Sequence, residues 1–454
     1  MSIANKKKGL SPAQVLVFGF GGMIAIGTLL LLLPIATKTG EPLSFVDALF
    51  TSTSAVCVTG LGVFDLGQML SPFGQVTMLC LIQMGGIGFM TMTSMVYMLF
   101  GKRFTLKDRM LMQNSMNGYS IQGVVRMARD VIVLTAVIEL AAFLIFAIRF
   151  VPLYGTQTGL YFSLFQSVSS FCNAGFDVFG MGTSLQPFAT DPLIMTTTMC
   201  LITLGGLGFY VLLDIFFKLR NKGHRFMLHT KVVLLMSLVL TLVGFVLFLF
   251  FEWGNPKTFS IEAFNVGDKV SGAFFQSVTA RTAGFAGVVQ ADLMPTSKIL
   301  TIILMFIGAS PAGTAGGIKT TTIALAALFL IATIQGKEDI EIFGRRIDRQ
   351  IVMRALATLM LGILFVIIAT IIVAVVEFGR IQIADIVFEI VSAFGTVGIA
   401  SGNTAAFSAI SRVVLVVTMY GGRVGIFTFT MAIAARMEKT KIAKRYPEDK
   451  IMIG

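Results

Sequence analysis

Charge is scarce in this sequence: of 454 residues, only 13% are Asp, Glu, Lys or Arg. An ordinary soluble domain carries about 25%, so this chain cannot clothe a soluble globule. Histidine is nearly missing, with His224 and His229 both in one basic loop, which argues against a histidine-based catalytic or metal centre. The four cysteines, Cys57, Cys80, Cys172 and Cys200, stand in or beside apolar segments without a CxxC pair. Neither a zinc site nor a disulfide framework is indicated. The phosphate-loop pattern is lacking too. Residues 313–320 end in Lys319-Thr320, but Ile318 separates Gly317 from Lys319 and no soluble strand precedes them. The loops between apolar runs stay under roughly 30 residues, too short for an independent core.

What is present is apolar. Hydrophobic residues make up 56% of the chain, and the mean hydropathy is +0.87. Runs at 15–36, 74–100, 131–150, 193–219, 232–251, 298–335, 351–376 and 410–435 are long enough to cross a bilayer as helices. Four shorter amphiphilic segments, 44–56, 161–171, 269–280 and 383–394, are too short to cross it. Three lysines, Lys6 to Lys8, precede the first run, which has no small-residue cleavage pattern and reads as a membrane helix rather than a removable signal.

Each short segment leads into a glycine turn. These are Val58-Thr59-Gly60, Asn173-Ala174-Gly175, Thr282-Ala283-Gly284 and Thr396-Val397-Gly398. The glycines are 115, 109 and 114 residues apart. The expected fold is therefore an all-α polytopic membrane protein of four M1-P-M2 repeats. It has eight spanning helices and four re-entrant pore helices in pseudo-fourfold arrangement around one pore. The chain divides into a cytoplasmic N-terminus (1–13), repeat 1 (14–101), a cytoplasmic loop (102–129), repeat 2 (130–220), repeat 3 (221–336), a further cytoplasmic loop with repeat 4 (337–435) and a basic tail (436–454).

The net charge of +12 follows topology. With the N-terminus inside, 25 of the 35 lysines and arginines fall in inside segments, as the positive-inside rule requires. Both termini then face the cytoplasm, and the basic balance is no nucleic-acid footprint. It is compatible with anionic lipid headgroups or an acidic partner.

Non-helical backbone survives at membrane depth only where protein buries it or water lines it. Four such turns on one axis present a ring of carbonyl oxygens that can replace the hydration shell of a monovalent cation. Short helices with their C-terminal ends toward that ring favour a cation there.

Two further features lie below the ring. As one helix, residues 298–335 would run roughly 57 Å against a hydrocarbon core of about 30 Å. Gly308, Ala309, Ser310, Pro311, Ala312, Gly313, Thr314, Ala315, Gly316 and Gly317 interrupt it, and Lys319 is its only internal charge. The expected break faces a cavity or is buried; a kinked helix packed through small residues is the plainer alternative. Arg423 lies near the centre of 410–435, where a charge costs about 2.5–3.5 kcal/mol. It is either a fixed barrier in the cation path or a packing arginine satisfied by carbonyls or a carboxylate. Glu139, in the first span of repeat 2, is expected to be paired or protonated. The Gly-Gly pairs 85–86, 205–206 and 421–422 read as sites of close packing.

These motifs, with residues 54–61, 173–176, 279–285, 395–399, 308–322 and 421–425, resemble the membrane subunit of the Trk/Ktr/HKT superfamily of potassium transporters, most closely the Ktr type. The resemblance covers nearly the whole chain. It implies potassium uptake across the bacterial plasma membrane by a homodimer, each subunit with its own pore. A cytosolic RCK/KTN-type ring, binding ATP or ADP, is implied as regulator. No cofactor is expected on this chain, which is not an enzyme. Glycine at all four filter positions goes with potassium in this family, whereas serine in the first goes with sodium in some plant members. The resemblance assigns residues 308–317 to a gating loop, places an arginine such as Arg423 in the pore, and allows coupling to sodium. An alternating-access carrier and a sodium-conducting relative are the alternatives.

Overall fold

A computed structural model describes residues 12–88, 124–221, 223–260, 264–337, 339–402 and 404–426, together with 428 and 430. The helices run α1 (Pro12–Leu31), α2 (Phe45–Cys57), α3 (Leu66–Met69), α4 (Pro72–Ile87), α5 (Val124–Tyr154), α6 (Thr156–Phe171), α7 (Pro192–Leu207) and α8 (Phe209–Arg220). They continue as α9 (Leu228–Glu252), α10 (Val266–Thr279), α11 (Pro295–Phe306), α12 (Thr320–Ile334), α13 (Arg349–Val376), α14 (Ile383–Gly395) and α15 (Ala409–Val424). A two-stranded hairpin, β1 (Glu341–Ile342) and β2 (Arg345–Arg346), turns through Phe343 and Gly344. Both turn residues have positive φ, the geometry that matches strand twist in a two-residue hairpin.

Apolar side chains face outward on the long helices. Val137, Leu140, Leu144 and Ile148 of α5, Leu238, Leu242 and Val246 of α9, and Ile367, Ile371 and Val375 of α13 are all exposed. An apolar belt of this extent belongs against lipid, and the chain is a multi-pass membrane protein. Polarity is turned inward. Thr51, Ser52, Thr53 and Ser54 on α2, Ser167, Ser169 and Ser170 on α6, and Gln276, Ser277 and Thr279 on α10 are buried.

The elements pack in a circuit that closes through α9. Helix α2 touches α4, α4 touches α6, α6 touches α7, and α7 touches α10; α9 packs on both α10 and α11, α11 on α14, α14 on α15, and α15 back on α2. Two of the short helices, α2 and α10, carry side-chain caps at their N-terminal ends. Ser44 accepts from the Asp47 N–H at 3.1 Å, and Asn265 and Asp268 form a reciprocal capping box on α10. Carboxylates at the ends of α9 and α13 hold the N-terminal ends of α11 and α15: Glu252 accepts from Met294 N–H and Glu377 from Ser408 N–H, both at 2.8 Å.

The spans differ from the sequence expectation of eight spanning helices with only the second span of repeat 3 broken, near 308–317. Among the described residues, four helices are long and apolar enough to cross a membrane, and α7–α8 makes a fifth only as a pair bent by 102°. The expected span 193–219 therefore folds back at Gly208, which has φ +92°. Gly88 and Gly425 end α4 and α15 in the same conformation, at φ +89° and +88°. A left-handed glycine cannot continue a right-handed helix. The remainders of the expected spans 74–100 and 410–435, beyond Gly88 and after residue 430, lie outside the described residues, as do the chain ends and most of loop 102–129.

Candidate functional site

The C-terminal ends of α2, α6, α10 and α14 run into the four glycine turns, and all four turns share one backbone signature. Val58, Asn173, Thr282 and Thr396 have φ of 56°, 59°, 67° and 50°, and the glycine two residues later is again positive, at 93°, 71°, 82° and 89°. Left-handed backbone costs a non-glycine residue roughly 1–2 kcal/mol. Three of these four are β-branched, the least tolerant type. Hydrogen bonds hold the strain. Thr59, Ala174 and Val397 N–H donate to the carbonyls of Ser54, Ser169 and Ser392, each at 2.8 Å. The Ser54 and Ser392 hydroxyls also accept from Gly60 N–H at 3.2 Å and Gly398 N–H at 3.1 Å.

The glycines converge in chain order. A methyl group on Gly60 would strike Ala174 O, one on Gly175 would strike Gly284 Cα and Ala283 O, one on Gly284 would strike Val397 O, and one on Gly398 would strike Thr59 O, all within 3.0 Å. Each glycine therefore abuts the carbonyl before the next glycine, and the fourth closes on the first. The ring floors a funnel of about 460 Å³, lined among others by Gly60, Gly175, Gly284 and Gly398 and by Asp65 and Asp177. Burial pushes the Asp177 carboxyl up to about 6; the Phe179 N–H opposes this and the Asp65 carboxylate adds to it.

The Gly-Gly pairs let α4, α7 and α15 reach the ring's supports. Gly85, Gly205 and Gly422 lie directly against the carbonyls of Val56, Phe171 and Phe394, where no side chain fits.

Residues 307–319 form no helix, and the segment is closed on itself and on its neighbours. Ile307 and Ile318 make a parallel bridge, and the Ser310 and Thr320 hydroxyls meet at 3.0 Å. Ser310 N–H donates to Gly206 O at 3.0 Å, Thr314 N–H to Gly205 O at 3.2 Å, and Phe209 N–H to Ala312 O at 2.9 Å. On the other side Gly316 N–H donates to Thr396 Oγ1, in the fourth turn, at 2.9 Å. Gly308, Ala309, Ser310, Thr314, Ala315 and Gly316 are buried, while Pro311, Ala312, Gly313, Gly317 and Lys319 are half-buried.

Arg423 ties this loop to α4. One guanidinium nitrogen donates to Thr314 O and the other to Gly85 O, with Gly86 O at 3.4 Å. Lys319 Nζ donates to Ala315 O at 2.7 Å. Among the described residues no carboxylate pairs with either cation. Both are held by backbone carbonyls. Glu139 accepts from Gln83 Nε2 at 3.0 Å, with the Cys172 sulfur 4.0 Å away.

Reading the sequence alone missed the helix ends at Gly88 and Gly425, the bend at Gly208 and the clasp from Thr396. These glycines left a signal, since the Gly-Gly-x-Gly pattern at 85–88 recurs at 205–208.

The family model for the TrkH cation transport protein matches residues 14–445. The chain is 39% identical to the Ktr system potassium uptake protein B of Bacillus subtilis, over 98% of this chain and 97% of that protein. It is 36% identical to the potassium/sodium uptake protein NtpJ of Enterococcus hirae over the full length of both. The crystal structure of the potassium transporter TrkH from Vibrio parahaemolyticus superposes with a TM-score of 0.74 at 18% identity, over 97% of this chain and 88% of that one. With a family match across nearly the whole chain and full-length relatives above one-third identity, the chain belongs to the TrkH/Ktr family of cation transporters and is not an enzyme.

Proposed function

We propose that this chain takes up potassium through a gated pore of four M1-P-M2 repeats. The filter is built from the carbonyls of Val58, Thr59 and Gly60, Asn173, Ala174 and Gly175, Thr282, Ala283 and Gly284, and Thr396, Val397 and Gly398. The observation that carries this reading is the cyclic closure of the four glycine turns. Rings of backbone carbonyls are how a filter replaces a cation's water. Four short helices directing their C-terminal ends at one point add favourable dipole ends.

In this reading residues 308–317 are the gate, with Lys319 and Arg423 as its cationic fasteners. The loop lies between the second and fourth turns' supports, and Arg423 fastens it to α4. A positive charge held there also opposes cation passage. Both sequence alternatives for Arg423 thus merge: its carbonyl partners satisfy it, and one of them, Thr314 O, belongs to the gate.

The protein would work in the bacterial plasma membrane with both termini cytoplasmic, as a homodimer controlled by a cytosolic RCK/KTN-type nucleotide-binding ring. The relatives named as parts of a Ktr system support a partner chain. The relative named for potassium and sodium supports sodium as a second ion or coupling ion.

Expression in bacteria lacking potassium uptake, with and without the cytosolic partner, tests the proposal. Wild type is expected to restore growth at low potassium, and Gly284→Ser to lose that rescue or pass sodium. Wild-type failure with every partner tried would sink the reading.

A further inference from the structure

The four turns are not equivalent, and the third departs in two linked ways. Ser52, Ser167 and Ser277 each anchor a short helix to the preceding long one, through Ile24 O at 2.9 Å, Glu139 O at 2.5 Å and Thr241 O at 2.8 Å. From these serines to the turn glycine is eight residues in the first two repeats and seven in the third. The short third turn loses the closure five residues back. Ala283 N–H bonds Thr279 O, four back, at 3.1 Å. Among the described residues no serine hydroxyl serves Gly284, or Gly175, as Ser54 and Ser392 serve Gly60 and Gly398, so the shortened main-chain closure is what sets the third turn apart from the second.

Where that closure is lost, a buried cation stands. Counting back three from each glycine gives Cys57, Cys172, Arg281 and Gly395. Arg281 is 8% exposed. Its guanidinium donates to the Thr241 hydroxyl, and its Nε has no acceptor. Among the described residues no carboxylate faces it. The anchor serines align Thr241 with Glu139, so the second repeat has a carboxyl where the third has a hydroxyl. One quasi-equivalent position therefore holds a thiol beside a carboxyl in repeat 2 and an unneutralised guanidinium in repeat 3. A charge left unpaired away from water acts over a longer range than one at the surface.

We infer that Arg281 is a positioning and specificity-determining residue of the filter. Its fork replaces the missing main-chain closure by fastening the third turn to α9, and its charge lowers cation occupancy beside Gly284. The ring is then electrostatically lopsided, which favours release over tight retention. This rests on the pore reading above.

The test is cation flux through the full chain reconstituted in liposomes, comparing wild type with R281K, R281Q and T241V. Monodispersity and melting temperature report folding. Readouts are the potassium concentration for half-maximal flux and the potassium-to-sodium permeability ratio. R281Q removes the charge, so half-saturation is expected to fall on the order of tenfold. R281K keeps the charge but loses the fork, so half-saturation stays near wild type while the permeability ratio drops. T241V removes only the acceptor and is expected to lower the permeability ratio in the same way.

Folded R281Q with unchanged half-saturation overturns the inference. So does T241V with an unchanged ratio, the deciding arm if both arginine variants fail to fold. If wild type itself carries no saturable potassium flux, the pore reading fails instead, and the two failures are distinguishable.

Discussion

The ring of turns and the loop beneath it are both irregular backbone inside an apolar protein, yet they are held by different means. The ring is interlocked through main chain: carbonyl against glycine four times, with left-handed residues closed by bonds to Ser54, Ser169 and Ser392. The loop is tied to its surroundings by three main-chain bonds to residues 205–209 and by side chains, Arg423 and the Thr396 hydroxyl from outside it and Lys319 from its own end. A structure closed by its own backbone cannot open without unfolding its supports. One tied to its neighbours by three main-chain bonds and three side chains can. The difference separates a part suited to selecting from a part suited to moving, and substitutions should divide along the same line.

The largest effect is expected in the ring. Gly398→Ala places a methyl on Thr59 O at a backbone with φ +89°, so neither shift nor rotamer relieves it. Potassium-dependent growth and tracer uptake should both be abolished while the protein still reaches the membrane. Uptake near the wild-type rate would show that the turns do not meet as tightly as the ring requires.

Next comes the loop. Arg423→Gln removes charge-assisted bonds to Thr314, Gly85 and Gly86. Bonds to charged groups contribute about 1.5–3 kcal/mol each, so basal flux without the cytosolic partner should rise about tenfold or more. Unchanged flux in liposomes at normal expression would mean the loop is not held shut by this clasp. Thr396→Val is milder. It keeps the β-branched shape but leaves Gly316 N–H without its acceptor, a loss of about 1–3 kcal/mol in a buried group. A leak of a few-fold, with potassium selectivity retained, separates a gate defect from a filter defect; lost selectivity with no leak would place Thr396 in the filter alone.

How much of this the sequence carries depends on the range of each interaction. The four glycines are legible as echoes because the spacing and the short apolar segment before each are local. So is the interruption of the long third-repeat run, where Pro311 and four glycines fall within ten residues. Arg423 stands out as a charge among apolar residues, but its partners do not. Thr314 and Gly85 lie 109 and 338 positions away, and only tertiary packing joins them. The bend at Gly208 was hidden for another reason. Hydropathy does not register a left-handed glycine, so 193–219 reads as one span although its two helices are bent by 102°. The hairpin through Phe343 and Gly344 escaped for want of alternating strand residues around it.

The smallest expected effect sits at the mouth of the ring and depends on pH. Asp177 lines the funnel with Asp65, and burial raises its carboxyl to about 6. Above that pH it is a carboxylate that draws cations toward the ring; below it the group is neutral and the draw weakens. The concentration of external potassium giving half-maximal uptake should therefore rise as external pH falls from 7.5 to 5, by about two- to fourfold for one charge partly screened by water. Asp177→Asn should show the higher value at both pH values and no step between them. The direction matters more than the size: acidification cannot tighten cation binding through a carboxylate. An Asp177→Asn protein that kept the full pH step would show that Asp177 does not set the draw at the mouth.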